Sequence, residues 1–203
     1  GLTVQEDTFG VPVQSGWNLI GNPFDHDMRW QGVKITSGGT SYTLPQSNEM
    51  GISRDFAWVW EPVTASYRLV TEYAGFGEKT VKQSTGFWFL AFQAGTLVLP
   101  GSTTVTAANS GVGRALDVDW KVRLVARCGD TADCDNYLGV STAAALNGIV
   151  SPPRPTAGVE LYFVNPGVAG QAAASFVAPT AKKTWQARVQ VAGLAGREVE
   201  ITW

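Results

Sequence analysis

The nine residues Gly16-Trp17-Asn18-Leu19-Ile20-Gly21-Asn22-Pro23-Phe24 constrain this chain more than any other stretch. They read as a short strand, Trp17 to Ile20, cut off by Gly21-Asn22-Pro23. Gly and Asn tolerate positive φ, and Pro fixes φ and cannot donate to a strand ladder. A large aromatic therefore opens a strand that must turn sharply within five residues. That pattern belongs to an all-β module, with Trp17 expected as a core anchor. Nothing in it performs chemistry.

The rest of the chain supports a β architecture. Its 203 residues suffice for one large β domain or two small ones. Charged residues are 16% of the chain, well below the usual ~25%, and 44% are hydrophobic. A chain this apolar can bury a core. The 23 Gly and 10 Pro call for many turns. The net charge of −2 and the absence of a basic stripe argue against a nucleic-acid partner. No apolar run reaches the ~18 residues of a membrane span, and Gly1 to Gly10 lack the apolar core of a signal peptide.

The chain divides into an aromatic-rich module over 1–106, a small, polar, Gly-rich linker over 107–116, and a second module over 117–203. In the first, strands are predicted near Val13–Ile20, Val33–Ile35, Ser41–Leu44, Phe56–Glu61, Tyr67–Glu72, Phe87–Phe92 and Thr96–Leu99. Two of these are apolar on both faces. Phe56, Trp58 and Trp60 oppose Ala57 and Val59, and Phe87, Phe89 and Ala91 oppose Trp88, Leu90 and Phe92, because side chains alternate with period two. In the second module Trp120, Val122, Leu124 and Ala126 are expected to face inward, with Lys121, Arg123 and Arg127 outward. Strands also fit Gly158–Val164 and Ala174–Val177. The Trp185–Val191 and Val199–Trp203 strands alternate in the same way, and Gly193-Leu194-Ala195-Gly196 is expected to join them as a hairpin. Ser141–Leu146 suits one helical turn capped by Ser141. The fold class expected is all-β, with two antiparallel β-sandwich modules, Ig-like or jelly-roll-like, in tandem.

The opening motif resembles the Gly-Trp-Asn-Leu-(Val/Ile)-Gly-(Asn/Leu)-Pro start of a β module found in large secreted bacterial proteins. The likeness continues through Phe56-Ala57-Trp58-Val59-Trp60-Glu61-Pro62, Gly86-Phe87-Trp88 and Gly95-Thr96-Leu97-Val98-Leu99, and spans about Ser15 to Gly101. The second half resembles the Ig-like tail modules that follow near the C-termini of such proteins, in accessory or sorting-associated regions. Trp120-Lys121-Val122-Arg123-Leu124, Asp135-Asn136-Tyr137-Leu138-Gly139-Val140 and the Trp185 strand carry that likeness. The resemblance implies a secreted or cell-surface, non-catalytic protein whose partners include other domains of a larger chain.

The two cysteines sit in Cys128-Gly129-Asp130-Thr131-Ala132-Asp133-Cys134. A Cys-x-x-Cys redox spacing is absent and further metal ligands are lacking. A short-loop disulfide is expected, hence an oxidising compartment, with two unpaired thiols as the alternative. Asp130, Asp133, Asp135 and Asn136 add an oxygen-rich cluster. Calcium favours such ligands in loops, although the spacing is not that of an EF-hand. A solvated acidic turn is the plainer reading.

The 8 Trp, 5 Tyr and 9 Phe supply the main functional candidates. Flat exposed aromatics stack on sugar rings at little cost in conformational entropy. Trp30, Trp60, Tyr67, Tyr73 and Trp88 are the candidate platform, because their strands carry a second apolar face or lie beside turns. Glu61, with Asp55, Arg68, Glu72 and Gln93, is close enough in sequence to supply hydrogen bonds. His26, the only histidine, reads as a turn residue. No nucleophile elbow, phosphate loop or dinucleotide fingerprint is present, and no pair among Asp55, Glu61 and Glu72 stands out as a glycosidase pair. The function expected is non-catalytic polysaccharide binding. The alternative is a spacer or a surface-anchoring, sorting-associated tail without a ligand.

Overall fold

The protein's structure, a computed structural model, describes residues 8–101, 114–154, 156–165, 170–179, 182–194 and 196–203. It is an all-β protein. The chain forms two compact units, one made of Gly1–Val59 with Leu69–Ala115 and the other of Trp60–Arg68 with Leu116–Trp203. Most of the linker expected at 107–116 lies outside the described residues.

The first unit contains β1 (Thr8–Val13), β2 (Gly16–Gly21), β3 (Met28–Arg29), β4 (Lys34–Ser37), β5 (Thr40–Thr43), β6 (Ser53–Glu61), β7 (Ser66–Thr71), β8 (Thr80–Val81), β9 (Gly86–Ala91) and β10 (Gly95–Pro100); the last residues of β6 and the first of β7 group with the second unit. Two four-stranded sheets, ordered β1-β10-β4-β5 and β2-β9-β6-β7, enclose one apolar core. Ile35, Leu97 and Leu99 from one sheet share that core with Ile20, Ala57, Phe87 and Phe89 from the other. Trp30 lies at its centre, with its ring edge-on to Phe87 and Phe89. Its indole nitrogen donates to the Asp55 carbonyl at 2.9 Å.

The strand expected over Val13–Ile20 is two strands, because the chain turns at Gln14-Ser15. Asn18 holds that turn. Its amide nitrogen donates to the carbonyls of Gln14 and Gly16, and its oxygen accepts from the Gln14 amide. Gly16 adopts φ 106°, a region closed to other residues. At the other end, Asn22 is buried and its side-chain nitrogen faces the carbonyls of His26, Val81 and Lys82 at 3.0, 3.2 and 3.1 Å. Its oxygen accepts from the Phe24 amide at 3.1 Å. The two asparagines are thus the turn-makers of the motif.

Sequence reading missed one helix, α1 (Leu44–Glu49). Thr43 and Gln46 form a capping box there, with Pro45 in the first turn. The Thr-x-x-Gln spacing was the available signal.

In the second unit, β11 (Val118–Cys128), β12 (Thr131–Ser141), β14 (Ala174–Val177) and β16 (Glu200–Thr202) form a sheet ordered β14-β12-β11-β16. β13 (Gly158–Phe163) and β15 (Ala187–Ala192) form a second, two-stranded sheet. Pairing is antiparallel throughout except between β12 and β14, which run parallel. Ala126, Cys128, Val159, Leu161, Phe163 and Ala172 make the core.

Three expectations need correction here. The last two strands are not a hairpin. β15 pairs with β13 and β16 with β11, so the 193–199 connection crosses between sheets. The helical turn near Ser141 is a 3-10 turn over Ala144–Gly148 without a side-chain cap. Ser141 instead ends β12, accepting from the Ala143 amide and donating to the Asp117 carbonyl. Finally, Trp120 does not face a core: it is exposed and packs edge-on against Trp185 with ring centroids 5.5 Å apart.

Candidate functional site

The register of β2, β9 and β6 creates an aromatic outer face on the first unit. Leu19 pairs with Trp88, which pairs on its other side with Trp58; Trp17 pairs with Leu90. Cross-strand partners share a face, and directly opposed side chains lie ~5 Å apart. Because Phe87, Phe89 and Ala91 fill the core side, Trp88 and Leu90 must turn away from it. The face grades from open to closed. Leu19 is 65% exposed, Trp17, Trp88 and Leu90 are half-buried, and Trp58 is 2% exposed. Next to β9, Phe92 is exposed with the Arg54 guanidinium 5.0 Å over its ring. Arg54 also donates to the Asn48 side chain at 3.3 Å.

The platform expected from sequence is only partly assembled. Trp88 is on this face. Trp30 is fully buried and Tyr73 is 1% exposed, so neither offers a ring to a ligand. The reason is tertiary: Trp30 occupies the centre of the sandwich, and the Tyr73 hydroxyl donates to the Asp55 carboxylate at 2.5 Å. Trp60 and Tyr67 meet within the second unit, with ring centroids 5.0 Å apart and planes 72° apart. Trp60 is exposed and Tyr67 half-buried. Glu61 accepts from the Val63 amide at 3.3 Å and so braces its own turn. Trp17 corrects the reading made of it as a core anchor. Together with Leu19 and Leu90 it was missed as a surface residue. The alternation of Trp17 and Leu19 against Ile20 was the available signal.

The carboxylates fall into different settings. Asp55 is buried, and burial raises its pKa against the stabilising Tyr73 hydrogen bond. Burial, then the Asp55 charge, likewise raises the Tyr73 hydroxyl pKa. Glu72 lines a cleft of about 50 Å³ with Arg29, Trp30, Gln31, Thr71, Lys79 and Thr80. Desolvation, helped by the Asp55 charge and opposed by Arg114 and Lys79, pushes Glu72 up to about 7. A cavity of that size admits a few waters, not a sugar ring. Lys79 is committed to three carbonyls, those of Thr71, Tyr73 and Phe76. His26 sits in the turn after β2, stacked on Phe24 at 5.3 Å and bonded to Asp25.

The cysteine loop is a strand hairpin. Cys128 and Cys134 are both buried and both free thiols. In the β11–β12 register Cys128 pairs with Thr131 and Ala126 with Asp133. The two thiols are not joined in the expected disulfide: Cys128 sits opposite Thr131, and Cys134 lies three residues further along β12.

The acidic residues proposed for calcium are dispersed by the same register. Asp135 is fully buried, with the Arg68 and Arg123 guanidiniums at 3.2 and 3.4 Å and the Tyr137 hydroxyl donating at 3.1 Å. Asp133 accepts from the Leu161 amide at 2.8 Å. Asp130 is exposed in the turn. Among the described residues no three His, Cys, Asp or Glu side chains gather as a metal set. No described helix is long and apolar enough to cross a membrane.

No protein-family model matches the chain, and no curated protein or solved structure is significantly similar to it.

Proposed function

We propose that the chain is a non-catalytic accessory module pair of a secreted or cell-surface protein, and that it binds polysaccharide through the outer face of the β2-β9-β6-β7 sheet. The observation that supports this reading is the cross-strand set of Trp17, Leu19, Trp88 and Leu90, held on a rigid sheet and left partly open to solvent. Such a face matches the flat C–H surface of a sugar ring. Arg54, close to Phe92, is placed to add a hydrogen bond at one end. Secretion and the β-module family follow from the motif resemblance, and Asn18 and Asn22 give that motif a structural purpose.

Affinity electrophoresis and pull-down on a broad panel of soluble and insoluble glycans test this. The intact chain is expected to be retained by at least one. Trp88→Ala is expected to weaken retention by about 2 kcal/mol, roughly 30-fold, as for a central aromatic contact. Absence of retention across the panel, with folding verified, sinks the proposal.

A second reading has its own support. Trp30, Trp58, Tyr73 and Phe76 are all buried to within 2% of complete. Most of the aromatic content of the first unit is therefore structural. A spacer or surface-anchoring, sorting-associated tail would need nothing else. A neutral quencher separates the two: ligand binding should protect Trp17 and Trp88 fluorescence, and a spacer would show the same quenching with and without glycan.

A further inference from the structure

The second unit is open along one side. Among the described residues β15 has a hydrogen-bonded neighbour, β13, on one edge only, and β16 is likewise paired only with β11. The other edge of β13 is closed. The Leu161 amide is taken by Asp133, and the Phe163 amide by the Ala172 carbonyl. β15 has no such closure among the described residues.

The inner faces at both free edges are unroofed. Val189 and Val191 pair with Leu161 and Val159, which are core residues, yet each is 37% exposed. Ile201 pairs with the buried Ala126 and is 41% exposed. These three side chains point the way core residues point, yet more than a third of each stays open to solvent among the described residues. β15 also lacks the devices that protect edges: it has no Pro, no bulge and no inward charge.

The two edges complement each other. Ala187-Arg188-Val189-Gln190-Val191 alternates apolar residues with a cation and an amide. Glu198-Val199-Glu200-Ile201 alternates apolar residues with two anions. Arg188, Glu198 and Glu200 are all exposed. Laid antiparallel with Arg188 opposite Glu200, Val189 falls beside Val199, Ala187 beside Ile201 and Gln190 beside Glu198. Over 187–190 and 198–201 every apolar side chain then lies on the core side and every polar one outside. A β15–β15 pairing of two copies offers no acid to Arg188.

We propose that the chain self-associates head to tail, the free edge of β15 in one copy pairing antiparallel with the free edge of β16 in the next. The contact is heterologous, so it propagates unless the rotation between copies closes a ring. Its charges set register and partner choice, and its apolar inner faces supply the burial.

The test is sedimentation of the full chain from about 1 μM to about 1 mM, the span of weak interfaces. Mass rising with concentration is expected. Arg188→Glu alone and Glu200→Arg alone should each weaken association about fivefold or more, because an opposed pair becomes a like-charged one. Mixing the two variants should restore association, since each β15 then meets a β16 of opposite charge. The doubly reversed chain should associate by itself for the same reason. Both positions are exposed; because Glu200 also sits opposite Arg127 in the β11–β16 register, circular dichroism of each variant verifies that the fold is retained. A chain that stays monomeric throughout overturns the proposal. So does association indifferent to both reversals, or association sensitive to Arg188→Glu and blind to Glu200→Arg, which would mean β15 pairs with β15.

Discussion

Replacing Asn22 with Ala is the sharpest test of how the opening motif works. The Asn22 side chain has two N–H donors and faces three carbonyls, those of His26, Val81 and Lys82. Two donated bonds, one of them shared, and one accepted from the buried Phe24 amide are therefore lost. At about 1 kcal/mol net for each bond, Asn22→Ala should destabilise the first unit by about 3 kcal/mol. For a unit of about 100 residues that is a fall in Tm of about 12–24 °C. Urea unfolding followed by Trp fluorescence reads it as a lower midpoint at unchanged slope. Asn22→Asp is the control. It keeps the acceptor for Phe24 and turns a carboxylate toward three carbonyl oxygens. Burial and those oxygens raise its folded pKa above the unfolded value. Its protonated form is thus favoured by folding, and stability falls as pH rises through the folded pKa. Asn22→Asp should therefore be closer to the parent at pH 4 than at pH 8. A cost below about 1 kcal/mol for Asn22→Ala would refute the argument, since three buried bonds cannot cost so little. Identical behaviour of Asn22→Asp at both pH values would refute it equally.

Two other outcomes are expected. Cys128 and Cys134 should resist a thiol reagent in the native chain and both react in denaturant, and a reductant should leave the midpoint unchanged; loss of stability on reduction would mean that the hairpin register is wrong. Glu72 has a folded pKa pushed up to about 7 against an ordinary value of 4.5. Folding therefore favours its protonated form, and the stability it contributes is lost as pH rises from about 4.5 through 7. Glu72→Gln should flatten that part of the pH–stability curve, and a curve unchanged by the substitution would show that the cleft does not desolvate the carboxyl.

Much of the architecture was legible because period-two alternation is local. The strand cores at Phe56–Glu61, Phe87–Ala91, Thr96–Leu99, Gly158–Phe163 and Ala174–Val177 all read directly from it. So did the opposition of Phe87 and Phe89 to Trp88 and Leu90. The Asn and Gly positions of Gly16–Phe24 marked turns for local reasons as well, since backbone permissiveness belongs to the residue itself.

Alternation divides side chains between two faces and leaves open which face is the core. That choice is made by the sheet packed opposite. Trp30 went inside and Trp17 stayed half-exposed because the β1-β10-β4-β5 sheet covers only one side of its partner. Register is non-local too. Cys128–Asn136 reads as an acidic, Cys-bearing turn until β11 and β12 pair, and that pairing parts Cys128 from Cys134 and sets Asp135 beside Arg123. The last two strands make the same point. A Gly-flanked link between alternating segments looks like a hairpin, and only hydrogen bonding to β13 and β11 sends the segments to different sheets. The residues set the strands, the turns and the split between faces. Long-range pairing decided which faces are buried, which carboxylates are paired and which edges stay open.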